Sequence, residues 1–284
     1  MLIGSNWIIN NLTKSLNTWN ESLTDIINLI TSSPEEFKNG SVWAIIEKIN
    51  GGLQAVGLAL LVLFFVVGIL KTCTSLNEVK KPEHAFKYFI RFVLAKAIVT
   101  YGMELMLAIF KIGQGICNRV IEAASVEYIL EGLPIGAELP EEIVTAILNC
   151  GFLESIPLWA VTIIGSLFIT IMTYIMIMTI YGRFFKLYIY AALAPIPLSC
   201  FSGESTQHIG ISFFKSFCGV CLESAVIVLA CVIFTYFASS PPALADGDAI
   251  NMVWSYVGEL AFNMLVLVGT IKMSDRVIKE MMGI

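Results

Sequence analysis

Charge is scarce in this chain, and the motifs of catalysis are absent. Only 14% of the 284 residues are charged, against 57% hydrophobic. Ordinary soluble domains carry about 25% charge, so that class is excluded. There is no HExxH helix, no Walker-type glycine loop and no serine elbow with a facing histidine, so three common kinds of hydrolysis lack their machinery. No aspartate falls inside a long apolar run, which disfavours an aspartyl intramembrane protease. The two histidines, His84 and His208, lie in polar connections without ligand spacing. Asp246-Gly-Asp248 reads as a turn and not as a metal site. Basic stripes, aromatic-basic patches and zinc spacing are missing, which argues against nucleic-acid recognition. Neither a cofactor nor a metal is expected, and the chain is not expected to be an enzyme. The first 30 residues lack the basic start of a secretory signal, and Lys14, Glu21 and Asp25 interrupt their apolar residues.

What is present is long, continuous apolar sequence, without the polar-apolar alternation of barrel strands. The fold class expected is all-α: a polytopic helical membrane protein with five spans, at about 53–71, 89–112, 157–181, 217–238 and 253–271. Residues 1–50 form an amphipathic N-terminal region. In it Ile8, Leu12, Leu16, Trp19, Leu23, Ile26 and Ile30 recur at helical spacing, with Ser33-Pro34 as the stop. Trp7 and Trp19 suit a headgroup interface, so this helix either lies on the membrane or packs on the protein. A second short helix, about 41–50, leads into Gly51-Gly52. Residues 113–156 make a long polar connection with a helix from Pro140 to about Asn149, where proline and Glu141-Glu142 fit a helix start.

The apolar run Leu187–Phe201 is 15 residues, short of the roughly 20 needed to span. Arg183 and Lys186 precede it, and Pro195 and Pro197 interrupt it. Charge decides its side. The loop after span one, the segment 183–215 and the C-terminus together hold 11 of the 17 basic residues. The N-terminal segment and the connections 113–156 and 239–252 hold 14 of the 22 acidic ones. Positive-inside reasoning then places the N-terminus outside and the C-terminus inside. Loop 113–156 is outside, and 183–216 is a cytoplasmic re-entrant or interfacial segment.

The turn Gly182-Arg183-Phe184-Phe185-Lys186, the stretch Ala191-Ala192-Leu193-Ala194-Pro195 and the linker Phe213-Phe214-Lys215-Ser216-Phe217 resemble the VirB/TrbL-type polytopic inner-membrane proteins of type IV secretion and conjugative transfer. The local match covers about 180–225. The resemblance implies the same topology as the charges do. It also implies assembly as a homo-oligomer in the bilayer, beside other type IV secretion subunits and cytoplasmic motor ATPases.

Lys96, Glu104, Glu223 and Glu259 fall inside predicted spans. Such residues face a partner or a watery cavity, so they either line a polar path or form structural pairs. Cys218-Gly-Val-Cys221 has redox spacing but no βαβ context, and reads as buried thiols. Cys117 and Cys150 flank the outside connection, where oxidising surroundings permit a disulfide. Gly165, Ser166, Thr170 and Thr173 mark a close-packing face. The function expected is a channel or scaffold subunit of a conjugative type IV secretion system in the bacterial cytoplasmic membrane, contacting transferred DNA or protein transiently. The alternative is a secondary transporter that uses intramembrane glutamates and a broken helix.

Overall fold

The computed structural model describes residues 2–73, 82–124, 139–237 and 249–284. They form helices α1 (Leu2–Thr31), α2 (Ser41–Cys73), α3 (Pro82–Thr100), α4 (Gly102–Ala123), α5 (Glu141–Asn149), α6 (Phe152–Leu193), α7 (Pro195–Ser199), α8 (Gln207–Phe237) and α9 (Ala249–Met282). Short 3-10 turns occupy Phe37–Gly40 and Cys200–Ser202. No strand occurs among the described residues. Four helices are long and apolar enough to cross a bilayer, within Ser41–Lys71, Ile156–Leu193, Gln207–Phe234 and Ile250–Met282. The pair Phe86–Thr100 and Gly102–Ala123 makes a fifth if it is one broken span. The chain is a multi-pass helical membrane protein. Asp246 and Asp248 lie outside the described residues, as does most of the loop after span one.

Two compact units result. Unit 1 comprises Met1–Thr31, Cys117–Tyr181 and Ala225–Ser274, and unit 2 comprises Ser32–Ile116, Gly182–Ser224 and Asp275–Ile284. In unit 1, the stripe of α1 from Ile8 to Ile30 is buried in full, Trp19 included at 1% exposed, and Trp7 is 43% exposed. The opposite face, with Asn10, Lys14, Asn17, Glu21, Asp25 and Asn28, is open. Apolar burial therefore settles α1 against the protein: it packs on α5, whose Ile143 and Ile147 are buried. Asn11 Nδ2 donates to Ser166 Oγ at 3.1 Å, and Trp7 meets Trp159 with ring centroids 5.9 Å apart. A Cβ at Gly165 would lie 2.7 Å from Val257 Cγ1, so the small residues of α6 do serve close packing.

Unit 2 is built on α2. From Leu53 this helix is apolar nearly all round, yet among its described side chains only Trp43, Asn50, Gly57, Leu61 and Gly68 are buried. Val56, Val62, Leu63, Val66 and Leu70 remain exposed, as suits a helix bathed in lipid.

Several boundaries differ from expectation. Helix α2 runs unbroken through Gly51 and Gly52, because a cost of about 1 kcal/mol per glycine is small against 33 residues of cooperative helix. Pro140 is the N-cap residue of α5 and lies outside its first turn. Span two is not straight: α3 and α4 meet at 72° around Tyr101. Helix α6 does not stop at 181 but continues through Arg183 to Leu193, for 42 residues. At 1.5 Å per residue that is roughly 63 Å, twice a hydrocarbon core of about 30 Å. No helix breaker intervenes before Pro195, so the first half of the expected re-entrant run is simply α6. Likewise α8 starts at Gln207, ten residues before the expected span.

Candidate functional site

The proline elbow between α6 and α8 is the most closely fitted element of unit 2. Helix α6 runs into Ala194, and Pro195 then supplies the first residue of α7, where its missing N–H costs nothing. The chain tightens into the 3-10 turn Cys200–Ser202, extends at Gly203 and enters α8 at Gln207. Together α6, the elbow and α8 make a hairpin. Tyr190 holds its base closed by ring contacts to Phe213 at 5.4 Å and Phe217 at 6.2 Å.

This hairpin lies along α2. Asn50 Nδ2 donates to the Ala191 carbonyl at 2.6 Å. At Gly57, an added Cβ would stand 2.6 Å from the Pro195 carbonyl oxygen. Ser202 Oγ donates to the Leu61 carbonyl at 2.8 Å. A Cβ at Gly68 would meet Gly203 Cα at 3.5 Å, and one at Gly203 would meet the Phe64 carbonyl at 2.9 Å. From Asn50 to Gly68 is roughly 27 Å of helical rise, close to the thickness of a hydrocarbon core. The elbow is thus laid along the apolar length of α2.

The elbow also meets the break in the α3–α4 pair. Gln54 Nε2 on α2 donates to the carbonyls of Thr100 at 2.8 Å and Val99 at 3.5 Å, satisfying acceptors that the bend frees. A Cβ at Gly102 would lie 3.0 Å from Leu198 Cδ1 of α7. Arg91 donates to Gln207 Oε1, fixing α3 to the start of α8.

The basic-aromatic turn divides by face. Phe184 stacks on Phe37 at 4.6 Å, and Tyr188 donates to the Pro34 carbonyl at 3.1 Å. Arg183 is buried with them at 1% exposed, whereas Phe185 and Lys186 are open. Lys186 Nζ pairs with Asp275 Oδ1 at 3.0 Å, and Lys279 takes the other oxygen at 2.8 Å. Lys215 Nζ lies 3.5 Å from the Met282 carbonyl. The C-terminal basic cluster and that of 183–215 therefore meet at the base of the hairpin.

Of the intramembrane ionisable residues, Lys96 and Glu104 are exposed on either side of the α3–α4 break, and Glu259 is half-buried in unit 1. Glu223 is buried in unit 2 at 3% exposed. Among the described residues, no ion pair includes Lys96, Glu104 or Glu259. Cys221 is buried and Cys218 half-buried, in keeping with packing thiols. Cys117 is buried and Cys150 half-buried, both in unit 1. Cys200, inside the elbow, is buried.

Sequence reasoning did not reach Asn50, Gln54, Gly57, Gly68 or Asp275. A signal existed for three of them: Asn50, Gly57 and Gly68 are small or polar residues seven and eleven apart, on one stripe of an otherwise oily helix.

Residues 19–195 match the model of a family described as TrbL/VirB6 plasmid conjugal transfer like protein. The match covers more than half the chain and ends at Pro195, inside the elbow. No curated protein and no solved structure matches the chain.

Proposed function

Since the chain belongs to the TrbL/VirB6 plasmid conjugal transfer family, and so is a component of a type IV secretion machine, we propose that it acts as a channel or scaffold subunit in the cytoplasmic membrane, helping DNA or protein across it. The observation that carries this reading is the family match over residues 19–195, which takes in the helices α2 and α3 on which the elbow packs. A chain without a nucleotide-binding motif has no motor of its own, so directed movement calls for cytoplasmic ATPases as partners.

The polar residues fit this role. Lys96 and Glu104 flank a helix break and open outward from unit 2, so in an assembled ring they meet neighbouring chains or an aqueous path, as membrane-embedded charges require. By sequence, basic residues gather in unit 2, with fourteen against ten acidic, and acidic residues in unit 1, with twelve against three basic. An outside location for 113–156 permits a Cys117–Cys150 disulfide, seen as a non-reducing mobility shift lost in Cys117→Ser.

The test is isolation of the secretion complex from donor cells through a tag on another subunit. Stoichiometric recovery of this chain supports the reading, and its absence from the intact complex refutes it. The broken α3–α4 pair and the elbow also suit a secondary transporter, in which discontinuous helices surround a substrate site. Solute uptake by vesicles containing this chain alone, lost in Glu223→Gln or Glu259→Gln, would favour that second reading.

A further inference from the structure

A groove of about 290 Å³ opens on unit 2 beside the elbow, lined by Ile189, Tyr190, Leu193, Ile196, Pro197 and Phe213. It exists because Pro195 turns the chain off the axis of α6, leaving a wedge between the end of α6 and the start of α8. No polar atom lines it. Water has no partners there, since an ordered water needs two to four polar groups. A partner helix needs a longer furrow, with anchor sites at i, i+3, i+4 and i+7. Ile189 and Leu193 stand open at its rim, and the medium beside an apolar helix of this chain is lipid.

The rim is basic. Lys186 lies one turn before Ile189 and Tyr190 and two turns before Leu193, on the same stripe of α6. Lys215 stands exposed with its Nζ 3.5 Å from the Met282 carbonyl, and Met282 lies two turns after Asp275, the partner of Lys186, along α9. Around them, Asp275 is shared by Lys186 and Lys279, and Glu280 is taken by Arg276 at 2.8 Å. One carboxylate between two ammonium groups, with Lys215 added, leaves surplus positive charge one turn from a wholly apolar slot.

We propose that this groove is a binding site for an anionic membrane phospholipid: one acyl chain lies between Leu193, Pro197 and Phe213, and the phosphate rests against Lys186 and Lys215. Its volume, at the lower end for ligand pockets, suits a single chain. The elbow is then wedged between protein on its α2 side and a bound lipid on the other.

The experiment reconstitutes the full chain in phosphatidylcholine vesicles containing a minor amount of phosphatidylglycerol, with a photoactivatable diazirine in the acyl chain of one lipid or the other. Adducts are mapped by mass spectrometry. The expected result is labelling concentrated on 189–197 and Phe213 over Val66, an exposed lipid-facing residue of α2, and stronger with the anionic probe. Replacing both Lys186→Gln and Lys215→Gln removes that preference, by about fivefold for each lysine. Leu193→Trp fills the slot and abolishes labelling there but not at Val66; Leu193→Phe, a milder change, gives a partial loss. Equal labelling by the two lipids, adducts as dense at Val66 as at Ile189, or an unchanged pattern in the Leu193 variants would overturn the proposal.

Discussion

At Gly57 there is no room for a methyl group, because the backbone oxygen of Pro195 would lie 2.6 Å from it. Gly51, on the same helix, has open space around it. Gly57→Ala is therefore expected to cost about 1–3 kcal/mol through forced separation of α2 and the elbow, while Gly51→Ala is neutral or slightly stabilising. Thermal melting of the two purified proteins checks the contrast. Arg183 and Glu223 are the only charged side chains buried among the described residues. Tyr190 sets their register: Arg183 lies two turns back along α6, and Glu223 nearly two turns beyond Phe217 along α8. Opposite charges at one level of one unit are expected to offset each other, since a lone buried charge is strongly destabilising. Arg183→Glu should abolish accumulation in the membrane, and adding Glu223→Arg should restore part of it; no recovery in the double variant would refute the pairing.

Among the elements, α1 and the elbow show what sequence can and cannot convey. The stripe of α1 was fully legible, since seven apolar residues at helical spacing leave a polar face that must meet water. The elbow was legible as a break, because Pro195 and Pro197 are local signals. Where it lies was not legible, because its partners Asn50, Gln54 and Gly68 are more than a hundred residues away and announce themselves only as gaps in an oily surface. The bend between α3 and α4 was hidden for the same reason. Their composition is continuous, and the group that accepts the bend is the Gln54 side chain on another helix. Gln54→Leu should leave the Val99 and Thr100 carbonyls without that donor and lower stability by about 1–3 kcal/mol, read as a lower melting temperature in detergent. The hairpin also places its tip and base apart along α2. Glu204 adjoins Gly68, towards Lys71, whereas Ala191 adjoins Asn50. Reporters after Glu204 and after Lys71 are expected to read the same side of the membrane. Opposite readings would remove the hairpin from α2.

For the molecule as a whole, length and composition were enough to exclude an ordinary soluble domain and to require several crossings, because few residues here can face water. Charge grouping along the sequence anticipated that 183–215 and the C-terminus belong together, and Lys186, Asp275 and Lys279 meet in unit 2. Charge could not foresee that the long helices overrun their expected ends, since extra apolar turns carry no sign. The family assignment gives the chain its setting, and the elbow along α2 gives it a part on which that role can be tested. The most direct measurement is transfer frequency from donor cells that lack this chain, complemented with wild-type protein or with a Gly57→Leu variant that still accumulates in the membrane. Transfer is expected to vanish without the chain, return with the wild type and stay low with Gly57→Leu. Normal transfer from donors that lack the chain altogether would contradict the account.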